Sequence, residues 1–394
     1  MTLLKTSLGT CEVQRYPKVR DQTLLPFDHA DKMLLNFFAN ESILSHEKLT
    51  HTFIVNDEFG ALTCALSSNC SVTHWTDSLL SQIATKKNLS LNFVESSVEF
   101  LNSTDEFINS KNPLPSRRPD LILMRLPKNL NHFKHQLCIL SECFPEIPIW
   151  FGIMQKFITP QVKKVIEKYC INIDAGRSEK KARVIKAVFP ATQNTVKTDI
   201  LEHAESYTVT QQGTRPFKIV SLPNVFSANS LDIGSRFLLD NFPDLSSYKS
   251  IADFGCGNGL LSIFAGLVNP NITVTGYDES YHAIVSAKKS AELNHLNNIE
   301  FKISNCANDA PDQSHDGVLC NPPFHQQRRV TTDTAHYMFE QAFRVLKNQG
   351  TIWVIANRHL NYHHALQKIF GNAMLLASNP RFVILCSTKT EEVL

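Results

Sequence analysis

Two short segments in the second half of this 394-residue chain carry residue types that can do chemistry. Asn321-Pro322-Pro323-Phe324 follows an apolar run, DGVLC, that reads as a strand. The side chain of Asn321 offers an amide oxygen and Pro322 a carbonyl, while two successive prolines fix the backbone without presenting a competing N–H. Two such acceptors suit a planar exocyclic amine: with its N–H groups held, the nitrogen lone pair leaves the conjugated system and points at an electrophile. Phe324 adds a flat apolar face for an unstacked ring, a contact worth about 1 to 3 kcal/mol. Alone, Asn-Pro-Pro is also an ordinary turn, and the second segment is what gives it weight.

That segment is Asp253-Phe254-Gly255-Cys256-Gly257-Asn258-Gly259, at the end of another apolar run. A strand that turns at once into a helix needs positive φ, and no Cβ where a ligand lies against the backbone. The turn also presents main-chain amides and a helix N-terminus. Its spacing differs from the G-x-G-x-x-G of dinucleotide binders, so the expected ligand is S-adenosylmethionine, held by its methionine portion and ribose. Asp278 lies 19 residues beyond Gly259, at the end of the next expected strand, where a carboxylate can accept from both ribose hydroxyls. Asn305 is expected at the adenine edge. A sulfonium is already an activated donor, so no nucleophile is required, and Cys256, Cys306 and Cys320 are expected to pack rather than react.

These segments need a sheet to carry them. From residue 250 onward, strands and helical stretches alternate with short connections, which implies a parallel, doubly wound sheet. The runs AMLLA and RFVILCS, separated by a few residues including Asn379-Pro380, predict a hairpin closing the sheet with an antiparallel edge strand. The first half repeats this plan in weaker form: TFIVNDEFGAL at 52 to 62, SVTHWTDS, PDLILMRLPKN and PIWFGIMQKF. Setting Asn56 against Asp253 and Leu126 against Asn321 gives separations of 70 and 68 residues, a spacing that suggests duplication. The expected organisation is a first copy over 1–190, a linker over 191–215 and a second copy over 216–394. The length suits two domains, and the 43% hydrophobic composition suits well-filled cores.

The formal charge of +2 is too small to announce nucleic-acid binding, so only local clusters of Lys and Arg could do so. Ten cysteines with no C-x-x-C pair, and no apolar leader or span, fit a cytoplasmic protein with reduced thiols and no membrane contact. No metal is expected, and no obligate protein partner is evident.

The same residues resemble the bacterial ribosomal RNA (guanine-N2)-methyltransferases, the RsmC and RlmG group. The resemblance covers nearly the whole chain. It is carried by Val225-Phe226-Ser227, Leu231-Asp232-Ile233-Gly234, the turn at 253–259 and Asn321 to Gln326. The runs Ile355 to Leu360 and Phe370-Gly371-Asn372 look more like its large-subunit members. The resemblance implies two tandem Rossmann-like methyltransferase domains, of which only the second binds the methyl donor, with Phe226 among the donor-binding residues. It also implies methylation of a guanine N2 in ribosomal RNA, the large subunit being favoured.

The first copy lacks the working motif. Asn56 is aligned with the acid, Gly60 is the one glycine kept, and Leu126-Pro127-Lys128 stands at Asn-Pro-Pro. It is expected to be an inactive platform for RNA. Lys180, Lys181 and Arg183 near its end are candidate phosphate contacts, as are Arg328, Arg329 and Arg358 around the pocket. The alternatives are a small-subunit, adenine-N6 or protein-glutamine methyltransferase, or a non-catalytic RNA-binding assembly factor.

Overall fold

The computed structural model describes residues 2–19, 21, 23–44, 49–94, 98–105, 115–191, 200–323 and 333–390. Contacts divide the chain into two compact units, Met1–His203 and Ala204–Leu394. Among the described residues no helix is long and apolar enough to cross a membrane.

In the first unit a hairpin of β1 (Thr2–Thr6) and β2 (Gly9–Val13) precedes α1 (His29–Leu44). Then follow β3 (His51–Val55), α2 (Ala61–Leu66), β4 (Ser71–Thr76), α3 (Leu79–Leu91), β5 (Val98–Asn102) and β6 (Leu121–Arg125). The unit continues with α4 (Leu130–Cys143), β7 (Pro148–Met154), α5 (Pro160–Tyr169), β8 (Ile171–Ala175) and β9 (Ala182–Val188). Seven strands form one sheet in the order β5-β4-β3-β6-β7-β9-β8, parallel except at β9.

The second unit opens with a hairpin of β10 (Glu205–Val209) and β11 (Phe217–Ser221), then α6 (Ile233–Asp240). It runs on through β12 (Ser250–Phe254), α7 (Leu260–Val268), β13 (Thr273–Asp278), α8 (Tyr281–Leu293) and β14 (Ile299–Ile303). The remaining elements are β15 (His315–Cys320), α9 (Asp333–Val345), β16 (Leu346–Asn357), α10 (Tyr362–Phe370), β17 (Met374–Ser378) and β18 (Phe382–Thr388). The sheet order, β14-β13-β12-β15-β16-β18-β17, is the same permutation as in the first unit. The C-terminal hairpin forms as expected, but β18 enters between β16 and β17, leaving β17 at the edge. Part of the stretch expected to link the halves, 191–215, is strand, because β10 lies within it and pairs with β11.

Central strands buried on both faces explain the near-continuous apolar runs. Phe53 and Val55 of β3 enter one core and Ile54 the opposite one; Ile251 and Phe254 of β12 divide in the same way.

Strand register corrects the alignment of the two copies. Val55 faces Trp75 and Met124, just as Phe254 faces Tyr277 and Cys320. The counterpart of Asp253 is therefore Ile54, not Asn56, and that of Asn321 is Arg125, not Leu126. Asn56 occupies the place of Gly255, and Gly60 that of Gly259; both of these glycines are left-handed at the start of their helices. The shift was hidden because the first copy keeps one glycine of three, so nothing in its sequence anchors the turn.

Arg125 is locked in place. Its guanidinium donates to both carboxylate oxygens of Asp28 at 2.8 Å and pairs with Asp31 at 2.9 Å. Asn56 closes over it, donating to the Arg125 carbonyl at 3.0 Å while exchanging amide hydrogen bonds with Gln136. Despite burial, the hydrogen bonds and charge of Arg125 hold Asp28 below the usual carboxylate range, while burial pushes Asp31 up to about 7. Removing one partner of such a cluster strands the others. Arg125→Ala is expected to destabilise the protein by about 3 kcal/mol in denaturant unfolding, and a loss below about 1 kcal/mol would show that the cluster is not a structural plug.

Candidate active site

The two chemistry-bearing segments meet because their strands are neighbours. β12 and β15 pair in parallel with Phe254 opposite Cys320, so the glycine turn and Asn321 leave the sheet side by side. The carbonyl oxygen of Asn321 lies 4.0 Å from the point where a Cβ on Gly255 would stand. On the other side of β12, Phe254 faces Tyr277, which brings Asp278 to the same edge. Open α/β sheets bind their ligands in this crevice, beyond the carboxyl ends of the strands.

The turn is built from positive-φ glycines: Gly255 at 69°, Gly257 at 54° and Gly259 at 83°. A Cβ at Gly259 would come within 3.1 Å of Ala287 and Phe301, so the helix packs this closely only without one. Around Gly257 the space is open. The amides of Gly255 and Cys256 both donate to the Tyr277 carbonyl. The Gly257 amide donates to Oδ2 of Asp278 at 2.9 Å, and Ser280 donates to Oδ1 at 2.9 Å. One carboxylate thereby fixes both the turn and the start of α8.

Asp253 is buried at the base of the turn. Its Oδ2 accepts from the amide and hydroxyl of Ser262, at 3.1 and 2.7 Å, and its Oδ1 has no hydrogen-bond partner. Burial, with a smaller contribution from the charge of Asp278, pushes its carboxyl up to about 7. The first unit performs the same anchoring from a different place: Asp57, on the turn itself, accepts from the amide and hydroxyl of Thr63. Burial also pushes Cys256 and Cys320 far up and Cys306 up to about 12, so all three stay thiols at neutral pH.

The other expected residues divide. Asn258 is buried, and its side chain donates to Ser221 at 3.0 Å and Tyr207 at 3.5 Å. These bonds anchor the turn to the β10–β11 hairpin. Phe226 is exposed, and the preceding Leu222 and Pro223 are held by Ser286 and His282 of α8, which places it near the same sheet edge. Asn305 is buried and within 3.4 Å of the Tyr337 hydroxyl. Pro322 is buried and Pro323 exposed. Phe324, Arg328 and Arg329 lie outside the described residues. Arg358 ties the end of β16 to the last hairpin by donating to the Asn379 carbonyl at 2.7 Å.

Lys180 and Lys181 are the exposed tip of the β8–β9 hairpin, both left-handed, between Glu179 and Ala182, which exchange backbone hydrogen bonds. Arg183 is half-buried in β9. Sequence reasoning gave no role to two residues: Ser235, whose hydroxyl oxygen lies 3.5 Å from Nδ2 of Asn321, and Asp232, which caps α6 by accepting from the Ser235 amide. The D-x-x-S spacing before an apolar run was the available signal.

Residues 216–386 match the model of the methyltransferase small domain, and residues 1–192 match the RLMG N-terminal domain. A protein of Shewanella pealeana named ribosomal RNA large subunit methyltransferase G is 38% identical, over 96% of this chain and 90% of its own length. Proteins of the same name from Vibrio vulnificus and Erwinia tasmaniensis are 35% and 37% identical, and each is covered along its full length. The chain belongs to the ribosomal RNA large subunit methyltransferase G family. Among solved structures, the T. thermophilus 16S rRNA N2 methyltransferase RsmC, in complex with AdoMet and guanosine, shares the fold with a TM-score of 0.72 at 18% identity. That likeness covers 98% of this chain and 97% of the other.

Because the native carboxyl of Asp253 titrates near 7 and an unfolded one near 4, the folded state holds this proton more tightly. The stability it contributes is complete below about pH 4 and is lost as pH rises through about 7. Asp253→Asn is expected to gain stability relative to the parent protein as pH is raised across that window, measured by denaturant unfolding at a series of pH values. A stability difference independent of pH would show that the carboxyl is not raised.

Proposed function

We propose that the protein transfers the methyl group of S-adenosylmethionine to the exocyclic N2 of a guanine in large-subunit ribosomal RNA. The observation that carries the reading is the convergence of the glycine turn, Asp278 and Asn321 at one sheet edge, with the Asn321 carbonyl against Gly255. The names of the family members, and the AdoMet and guanosine held by the RsmC neighbour, support it. The residues fit the donor: Gly257 opens onto free space, Asp253 keeps a buried oxygen unpartnered, and Asp278 is fixed by two backbone amides where ribose hydroxyls would donate to it.

When bound, S-adenosylmethionine supplies a methyl group already activated on a sulfonium. The chain's own residues hold the acceptor. The side-chain oxygen of Asn321 and the carbonyl of Pro322 accept the two N–H groups, so that the nitrogen lone pair turns from the ring toward the methyl carbon. The aromatic ring of Phe324 is of the type that stacks on a base, and the proton shed after methylation passes to solvent. With its cysteines protonated, the site has no thiolate to compete for the methyl group. A base within folded RNA must be unpaired or extruded to reach it, at a cost of a few kcal/mol. Acting on ribosomal RNA, the enzyme works in the bacterial cytoplasm.

The first unit, residues 1–190, serves in this reading as an inactive RNA platform, and residues 216–394 as the catalytic unit. Arg125 stands where the amine acceptor would be, Asn56 fills the place of Gly255, and Thr76 replaces Asp278 in the strand register. The Lys180–Lys181 tip, exposed and held in a left-handed turn, offers two cations to a phosphate backbone, and Arg328, Arg329 and Arg358 of the second unit are further candidates for that contact.

Pure protein, labelled donor and unmodified large-subunit ribosomal RNA are expected to yield labelled N2-methylguanosine, and label found only in protein or on adenine would overturn the reading. Asn321→Ala is expected to lower transfer by at least about 100-fold while donor affinity stays within about twofold. Lys180→Ala combined with Lys181→Ala is expected to weaken RNA binding and reduce the slope of log K against log salt by about 1 to 2. An unchanged slope would remove the tip from the interface.

A further inference from the structure

An asparagine amide has one accepting and one donating side, and only the accepting side can hold an amine N–H. Flipped by 180°, Asn321 would set its own NH2 against the substrate's. We infer that Ser235 and Asp232, acting as positioning residues, fix which way the Asn321 amide faces. Ser235 is buried in the first turn of α6, its hydroxyl oxygen 3.5 Å from Nδ2 of Asn321. A hydroxyl carries a single proton. The Asp232 carboxylate accepts only, and its Oδ2 lies 3.4 Å from that hydroxyl and 3.0 Å from the Ser235 amide, which donates to it. With its proton directed to Asp232, the Ser235 oxygen turns a lone pair toward Asn321. That lone pair admits Nδ2 and repels Oδ1, leaving Oδ1 for the substrate.

The first unit supports the relay independently, because the same three places are filled there. Asp28 immediately precedes α1 as Asp232 precedes α6, Asp31 follows three residues on as Ser235 does, and strand register sets Arg125 at Asn321. There too the helix start reaches the register equivalent of Asn321, here the last residue of β6, through Asp28 and Asp31 to Arg125. The contact belongs to the fold, and its chemistry differs: a buried guanidinium held by two carboxylates locks the first site shut, and a hydroxyl held by one carboxylate orients an amide in the second.

The inference rests on Asn321 being the amine acceptor, so the test varies both residues. In single-turnover methyl transfer to the ribosomal RNA, Ser235→Ala is expected to slow the reaction about tenfold, with donor affinity and melting temperature near the parent values. Ser235→Thr, which keeps the hydroxyl, is expected to restore most of the rate. In an Asn321→Asp background both side-chain oxygens accept, so orientation no longer matters and Ser235→Ala is expected to change the rate by less than about twofold. An equal slowing in both backgrounds would overturn the relay, showing that Ser235 acts through the packing of α6. No slowing in the parent background would overturn it as well. Full turnover by Asn321→Ala would instead sink the acceptor role on which the proposal stands.

Discussion

The parallel pairing of β12 with β15 is the constraint on which the site depends. The backbone register, Phe254 opposite Cys320, sends the segments that follow both strands off the same edge at the same level. A shift of one residue would face every side chain of the strand the other way. Asp253 would leave the base of the turn, and Asn321 would no longer stand beside Gly255. The apolar cores on the two faces hold that register, because Asp253 and Phe254 alternate between them and neither environment accepts the other's side chain.

The two units show how one fold can hold two outcomes with the same backbone. Both place a carboxylate beneath the first turn of the helix after the first central strand. In the second unit it comes from Asp253, within the strand, which leaves the turn to three glycines and open space. In the first it comes from Asp57, on the turn, where Asn56 and Glu58 stand at the register positions of Gly255 and Gly257. Beside it the acceptor position is taken by a guanidinium whose burial is compensated by two carboxylates. An ion cluster of this kind is costly to break, and the same order of seven strands thus carries an open glycine turn in one unit and a locked ion cluster in the other.

Burial also sets the electrostatic character of the second site. Desolvation raises Asp253 and leaves the nearby cysteines protonated, so the crevice holds its polar groups in forms that hydrogen-bond rather than react. Such an environment suits a reaction in which the electrophile arrives activated and the protein contributes orientation.

Much of this was legible in the sequence because the signals are local. Glycines in a D-x-G-x-G-x-G turn, a following acid and Asn-Pro-Pro-Phe are each dictated by backbone conformation or hydrogen-bonding capacity within a few residues, and alternating apolar runs state the sheet directly. The sequence alone therefore determined the α/β architecture and which two segments leave neighbouring strands at one sheet edge. It could not align the first copy, since a turn that has lost its glycines has no local marker and only strand register sets Ile54 at Asp253 and Arg125 at Asn321. Nor could it turn the Asn258 side chain toward Ser221, or bring Ser235 to Asn321 across 86 residues of chain. Those relations join segments distant in sequence, and only the packing of helices onto the sheet decides which side chains meet.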